Sequence, residues 1–212
     1  MRVIMALVLL IPILAAADMN QYLMLCQGVI EGAEEEGQYY PTYCQRAADL
    51  GSPHAHYVMG NYYMRHTDWG KARMHYQAAA DGGFVWGHIG LGHGLISSDP
   101  EAAESHYRVV AESDDEMSIM ALAWIGDLRL REQAFLKAYS WFYACAHFDT
   151  SFRSFCNGRL PTPAEHLNAE QVEKAVKAAQ PIIEWFSHNK GFNRTPENSG
   201  PAKPGQLDRG AG

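Results

Sequence analysis

The sequence lacks the motifs that identify many enzymes. It contains no G-x-S-x-G nucleophile motif, no H-E-x-x-H pair and no glycine-rich phosphate-binding loop. Lysine and arginine form no cluster, and the net charge of −7 disfavours binding to nucleic acid or to an anionic membrane surface. Beyond the N-terminus, no apolar run is long enough to span a membrane. These absences point away from nucleic-acid binding and from a membrane span.

The N-terminal segment has the features of a secretory signal peptide. Met1-Arg2 carries one positive charge, an apolar run extends from residue 3 to residue 14, and Ala15-Ala16-Ala17 offers an A-x-A cleavage site. The run is short for a membrane anchor, which needs roughly 20 apolar residues. The next residue is Asp18 and not cysteine, which disfavours a lipoprotein. We therefore predict a signal peptide over residues 1–17 and a periplasmic or secreted protein.

A repeat organises the rest of the chain. Gln45–Gly60 aligns with Gln77–Gly92 after a shift of 32 residues. The terminal glycine of these segments belongs to a longer series with spacings of 32, 32, 34 and 32 residues, namely Gly28, Gly60, Gly92, Gly126 and Gly158. A period in this range is typical of a helical repeat array.

Three stripes of small and aromatic residues follow these glycines. They are Ala72-x-x-x-Tyr76-x-x-Ala79, Ala103-x-x-x-Tyr107-x-x-Val110 and Ala138-x-x-x-Phe142-x-x-Cys145. Residues at i, i+4 and i+7 lie on one face of a helix. Each repeat is thus predicted to be two helices, with the glycine on the first and the stripe on the second. Because glycine within a helix costs up to about 1 kcal/mol relative to alanine, its recurrence predicts close helix contact.

The combined motif resembles the Sel-one-like repeat, a relative of the tetratricopeptide repeat. The resemblance rests on A-A-D-x-G, then small-x-x-x-aliphatic-Gly, then a second helix such as Lys71–Tyr76 or Ala138–Phe142. It covers about residues 18–189 and is degenerate around Gly28 and Gly158. It implies an all-α, right-handed α-solenoid of about four to five helix-turn-helix repeats with a C-terminal capping helix.

The pattern changes after the last glycine of the series. Asn168 and Gln171 are predicted to cap a helix that runs to about residue 189, and Pro181 is expected to kink it. Its apolar face consists of Val172, Val176, Ala179, Ile183 and Phe186. Residues 190–212 are rich in glycine and proline and are predicted to be a disordered tail after the repeat domain, residues 18–189.

The four cysteines predict two disulfides. An even number in an exported chain indicates pairing, and no CxxC spacing suggests zinc or redox chemistry. We predict Cys26–Cys44 and Cys145–Cys156, because separations of 18 and 11 residues suit neighbouring antiparallel helices. Other pairings would cross the array. The alternative is four reduced, buried thiols.

The resemblance also implies a function and a site. It predicts a scaffold that binds a protein or peptide on its concave face, within an envelope complex or a signalling pathway. In tetratricopeptide relatives, partner contacts come from the first helix of each unit, notably from the residue after the glycine. Carried over to this chain, the candidate binding residues are Asn61, His93 and Asp127, with Tyr57, Met64, Ile89 and Ile96 one turn away. For each residue, a solvated surface role is the alternative.

Two other classes of function stay open. Some disulfide-containing relatives bind or slowly hydrolyse penicillin-type ligands, which implies a cell-wall enzyme as one alternative. A secreted or immunity-type binder is the other.

The histidines do not have ligand spacing, since His54 and His56 point to opposite sides of a helix and His88 and His93 lie on different faces. We therefore name no catalytic residue, metal or cofactor.

Overall fold

A computed structural model describes residues 19–26 and 40–190 of the 212-residue chain. Within these ranges the chain is α-helical and contains no β-strand. The predicted signal peptide, Gly28 and residues 191–212 of the predicted tail lie outside the described residues. The chain divides into two compact units, residues 1–99 and residues 100–212.

The first unit is a series of helices that pack on their neighbours in sequence. Its described helices are α1 (residues 19–26), α2 (Tyr40–Asp49), α3 (Pro53–Arg65), α4 (Trp69–Asp81) and α5 (Trp86–Leu95). Helix α3 packs against α2 and α4, and α4 also packs against α5. This order of contacts is the one expected of a repeat array.

The second unit continues the pattern and ends in a long helix. Its described helices are α6 (Pro100–Glu112), α7 (Ser118–Arg131), α8 (Phe135–His147), α9 (Arg153–Arg159), α10 (Pro161–Ala164) and α11 (Ala169–Lys190). Helix α7 packs against α6 and α8. Helix α11 returns to pack against α8, as expected of a capping helix.

The predicted stripes lie on second helices and form the core. All nine stripe residues are buried: Ala72, Tyr76 and Ala79 on α4, Ala103, Tyr107 and Val110 on α6, and Ala138, Phe142 and Cys145 on α8. The prediction of two helices per repeat is therefore confirmed in these three copies.

The glycine register provides the close contact that the sequence predicts. A Cβ atom built on Gly60 would lie 2.5 Å from the ring of Tyr76, and one on Gly126 would lie 2.7 Å from the ring of Phe142. The Tyr76 ring is also in contact with Gly90 of α5, so glycines of two first helices flank it. Gly158 differs, because a Cβ atom there would meet nothing within 4 Å. The degenerate copy around Gly158 thus lacks the contact that defines the others.

Helix starts follow the sequence signals. The Asp68 carboxylate accepts a hydrogen bond from the backbone N–H of Lys71 at 3.1 Å and caps α4. Asn168 and Gln171 exchange backbone-to-side-chain hydrogen bonds of 2.9 Å each, which is a capping box at the start of α11. Helix α11 continues past Pro181 and ends at Lys190, one residue beyond the predicted end.

Both predicted disulfides are confirmed. Cys26 and Cys44 are bonded with a Cα–Cα distance of 4.8 Å, and Cys145 and Cys156 with a distance of 5.8 Å. All four cysteines are fully buried, and none is free. One disulfide joins α1 to α2 and the other joins α8 to α9.

Candidate functional site

Six of the seven predicted binding residues lie on two first helices of the first unit. Helix α3 carries Tyr57, Asn61 and Met64 at i, i+4 and i+7, and Ile89, His93 and Ile96 have the same spacing on α5 and its C-cap. Because α3 and α5 contact each other, these residues lie on adjacent elements. We call this surface the α3–α5 face.

A cluster of half-buried aromatic rings occupies one end of the α3–α5 face. The ring of Tyr57 lies 5.5 Å from that of Phe84 and 5.6 Å from that of Trp86, centroid to centroid, and both contacts are edge-on. His54 stacks on Phe84 at 5.0 Å. Edge-on and stacked pairs are the favoured arrangements of aromatic side chains. The cluster is therefore a fixed apolar surface that remains partly open to solvent.

Two residues of the α3–α5 face have roles inside the fold. The Asn61 side-chain oxygen accepts a hydrogen bond of 2.7 Å from the Tyr76 hydroxyl, which links α3 to α4. Burial raises the pKa of Tyr76, so this hydroxyl stays protonated and donates at physiological pH. Ile89 is buried with 7% of its surface exposed. A partner could reach Asn61 only in part and Ile89 hardly at all.

The other residues of the face reach solvent. Met64 is 36% exposed near the end of α3. His93 is exposed on α5, although the protein around it still desolvates the ring enough to lower its pKa. Ile96 is half-buried at the C-terminal end of α5. Together they extend the aromatic cluster into a mixed polar and apolar surface.

Asp127 lies in the second unit and has an intramolecular partner. Its carboxylate oxygen is 3.1 Å from a guanidinium nitrogen of Arg159, so the pair joins α7 to α9. Burial raises the pKa of Asp127, while Arg159 and Arg131 lower it. The geometry therefore gives Asp127 a structural partner, and a binding role for it stays a prediction.

A histidine pair connects α3 to α4 elsewhere in the first unit. The Nδ1 atoms of His56 and His75 are 3.0 Å apart, a hydrogen bond that requires a proton on only one of the two nitrogens. Burial lowers the pKa of both rings, and the carboxylate of Asp49 partly opposes that shift. The His75 ring also stacks on Tyr63. The pair is thus built for neutral imidazoles.

The second unit contains an apolar cavity of about 290 Å³. Helices α7, α8 and α11 line it with Leu122, Ile125, Trp141, Pro181, Ile182, Trp185 and Phe186. Helix α6 adds Arg108, Ala111 and Glu112. A cation lies over each indole, Arg108 over Trp141 at 5.7 Å and Lys190 over Trp185 at 5.8 Å. The volume is close to the lower end of the range for small-molecule sites.

Comparison with known proteins identifies the fold. No protein-family model and no curated protein matches the chain. Among solved structures, it is similar to c5321, a protective antigen present in uropathogenic Escherichia coli strains that displays an SLR fold, with a TM-score of 0.65 and 20% identity. The chain has the Sel-one-like repeat fold. The match covers 81% of this chain and 39% of c5321, so the chain spans less than half of that protein's length.

The Sel-one-like repeat fold assigns the helices to two classes. Helices α3, α5, α7 and α9 carry the register glycines and are first helices, whereas α4, α6 and α8 carry the buried stripes and are second helices. The predicted binding residues all lie on first helices or at their ends. The comparison supports the fold alone, because the identity is too low to transfer a binding partner.

Sequence reasoning missed two residues of the α3–α5 face. Phe84 and Trp86 belong to the segment that begins α5, and the predicted set of binding residues does not include them. A signal was available for Trp86, which precedes Ile89 by three residues and His93 by seven and so shares their helix face. Phe84 had no such signal, since it lies before the helix begins.

Ser187 and Lys190 have the S-x-x-K spacing of some acyl-transfer nucleophiles. The Ser187 hydroxyl donates to the Ile183 carbonyl at 2.8 Å. The Lys190 ammonium bonds the Glu112 carbonyl and lies 3.0 Å from the Asp114 carboxylate. These contacts hold both side chains in structural roles, and the enzyme alternative gains no support from them.

The described ranges hold neither a metal-binding cluster nor a helix able to span a membrane. Within residues 19–26 and 40–190, histidine, cysteine and acidic side chains form no group of three that could hold a metal ion. Among the helices described, none combines the length and apolar character needed to cross a bilayer.

Proposed function

We propose that this chain is an exported Sel-one-like repeat scaffold that binds a protein or peptide through its first helices, in an envelope complex or signalling pathway. The proposal names the α3–α5 face as the main contact surface, with Tyr57, Met64 and His93 as contact residues. In the second unit, the proposal includes Asp127 of α7 as a separate contact residue.

One observation carries this proposal. The aromatic cluster of Tyr57, Phe84 and Trp86 is held by ring contacts within the first unit, yet its members remain partly exposed. Aromatic side chains are enriched at protein interfaces because they bury a large area while losing little side-chain entropy. The small and aromatic stripe residues of the second helices α4, α6 and α8, by contrast, are buried.

Export has support of a different kind. Two disulfides form within the described chain and leave no free cysteine. Disulfides persist in oxidising compartments and are rare in the cytosol. This agrees with the predicted signal peptide over residues 1–17 and with a periplasmic or secreted location.

A pair of methionines provides a matched test of the binding surface. Met64 is 36% exposed on α3, and Met74 is 72% exposed on the second helix α4. We expect Met64→Glu to reduce recovery of a specific partner from cell-envelope extract by at least tenfold, because it places a charge on the α3–α5 face. Met74→Glu should leave recovery unchanged. Quantitative mass spectrometry of captured proteins measures both.

The two variants also separate binding from folding. Both substitutions are at exposed positions, so circular dichroism should show the same helix content and nearly the same Tm as the parent chain. Equal recovery by all three proteins would contradict the proposal, as would equal loss in both variants.

A further inference from the structure

The cavity of the second unit has a feature that the proposed function does not use. It is apolar except for two side chains of α6, Arg108 and Glu112, which are one helical turn apart. Both reach solvent, with 53% of the Arg108 side chain exposed. An apolar site with a few placed polar groups is the usual composition of a ligand pocket.

Arg108 is held in place and still has hydrogen-bonding capacity. Its Nε and Nη2 atoms donate to one carboxylate oxygen of Glu104 at 3.0 and 2.6 Å, and Glu104 also binds Arg129 of α7. Within residues 19–26 and 40–190, the Nη1 nitrogen has no acceptor. The Glu112 carboxylate likewise has no donor in the described chain. Beside the apolar walls there are thus one available donor group and one available acceptor group.

A third charge beside the cavity, the Lys190 ammonium, is already bound by the Glu112 carbonyl and the Asp114 carboxylate. Arg108 and Glu112 therefore select the type of ligand. A simple carboxylate would be attracted by Arg108 but repelled by Glu112, and a simple cation would meet the reverse. A neutral peptide group satisfies both, because its carbonyl accepts from a guanidinium and its N–H donates to a carboxylate. The apolar volume beside Trp141 and Trp185 would then receive the side chain of the same residue.

We propose that this cavity anchors one apolar side chain of a partner polypeptide, with Arg108 bound to the backbone carbonyl and Glu112 to the backbone N–H. The site rests on the proposed function, since it takes the same class of partner. It lies in the second unit and is lined by α6, α7, α8 and α11, so it shares no residue with the α3–α5 face.

N-acetyl-leucinamide is a direct probe, because it combines a neutral peptide group with a leucine side chain. Titration of the ¹⁵N-labelled full chain should give saturable shifts of the indole N–H signals of Trp141 and Trp185, with a Kd on the order of millimolar for one side chain. Trp69 and Trp86 of the first unit should not shift. The same apolar body with a single charge, as 4-methylpentanoate or 3-methylbutylamine, should bind at least fivefold more weakly.

Three variants assign the interaction to the cavity. Arg108→Lys keeps the charge but removes the guanidinium donors and should weaken binding about tenfold, as expected for one hydrogen bond to a charged group. Ile182→Trp fills the cavity and should abolish binding. Glu184→Trp adds the same side chain to an exposed position of α11 and should leave binding intact. An unchanged indole signal of Trp124, which lies against Tyr107 in the second unit and does not line the cavity, shows in each variant that this unit stays folded.

The outcomes are distinguishable. Absence of saturable shifts, tighter binding of either charged analogue, or binding that survives Ile182→Trp overturns the anchor. None of these results affects the proposed function, because its test depends on Met64 in the first unit.

Discussion

Gly60 shows how a single hydrogen atom in place of a side chain sets the distance between two helices. Its Cβ would lie 2.5 Å from the Tyr76 ring, which is itself buried and hydrogen-bonded to Asn61. We expect Gly60→Ala to lower the free energy of unfolding by about 1–3 kcal/mol, because overpacking exceeds the gain in helix propensity. Urea unfolding followed by circular dichroism measures the change.

Gly158 is the matched control for that substitution. It occupies the same repeat position, but a Cβ there meets nothing within 4 Å. Gly158→Ala should therefore be neutral or stabilising by up to about 1 kcal/mol. Equal destabilisation by the two alanines would show that the glycine register does not act through ring contact.

The histidine pair predicts loss of stability in mild acid. Burial lowers the pKa of His56 and His75 in the folded chain, so the unfolded chain binds protons first as pH falls below about 6.5. The contribution of these two histidines to the free energy of unfolding is therefore fully present above about pH 6.5. It decreases as the pH falls toward the lowered pKa values of the folded rings. We expect a lower Tm at pH 5.5 than at pH 7.5, measured by differential scanning calorimetry.

One substitution tests the source of this pH dependence. His75→Gln keeps a hydrogen-bonding side chain beside His56 but cannot titrate, so the difference in Tm between the two pH values should shrink. The other histidines with lowered pKa, His54, His88 and His93, should contribute to the pH dependence that remains. The same substitution at exposed His188 of α11 should leave the difference unchanged. A full pH dependence in His75→Gln would exclude the pair as its main source.

At the scale of elements, the disulfides fasten the helices that the repeat motif specifies least. Cys44 replaces the aromatic residue of the stripe on α2, and Cys156 lies on α9, where the register glycine makes no contact. Covalent bonds to α1 and α8 replace the missing packing.

Removal of either disulfide should be measurable separately. Cys26→Ser with Cys44→Ser, or Cys145→Ser with Cys156→Ser, should each lower the free energy of unfolding by about 3 kcal/mol on the chain-entropy model. Only the first pair should release α1, detected as rapid hydrogen exchange over residues 19–26. A urea midpoint that does not respond to reducing agent would contradict both expectations.

Sequence patterns predicted the second helices better than the surface they present. The stripes of α4, α6 and α8 repeat at fixed spacing because each must pack against a neighbouring first helix, and that constraint is visible in one sequence. The cysteine pairing followed from the same helix order. Surface contacts carry no such constraint, so the hydrogen bond of Asn61 and the ion pair of Asp127 could not be inferred from repeat position.

At the scale of the whole molecule, the described helices contact mainly their neighbours in sequence. Long helix α11 is an exception, since it passes α9 and α10 to pack against α8. The cavity near Arg108 is closed on one side by α11, which packs back against α8. No repeat motif predicts this cavity. Its lining combines the consecutive helices α6, α7 and α8 with α11, which begins 22 residues after α8 ends, and single-sequence reasoning did not find this combination.

The position of Tyr76 between Gly60 and Gly90 determines where this chain can be recombined with others. A repeat counted as one first helix and one second helix ends after α4 and assigns α5 to the next copy. The Tyr76 ring, however, is in contact with glycines of both α3 and α5. A chimaera joined between α4 and α5 would give Tyr76 a foreign neighbour. The smallest exchangeable module of the first unit is therefore three helices long, α3 through α5.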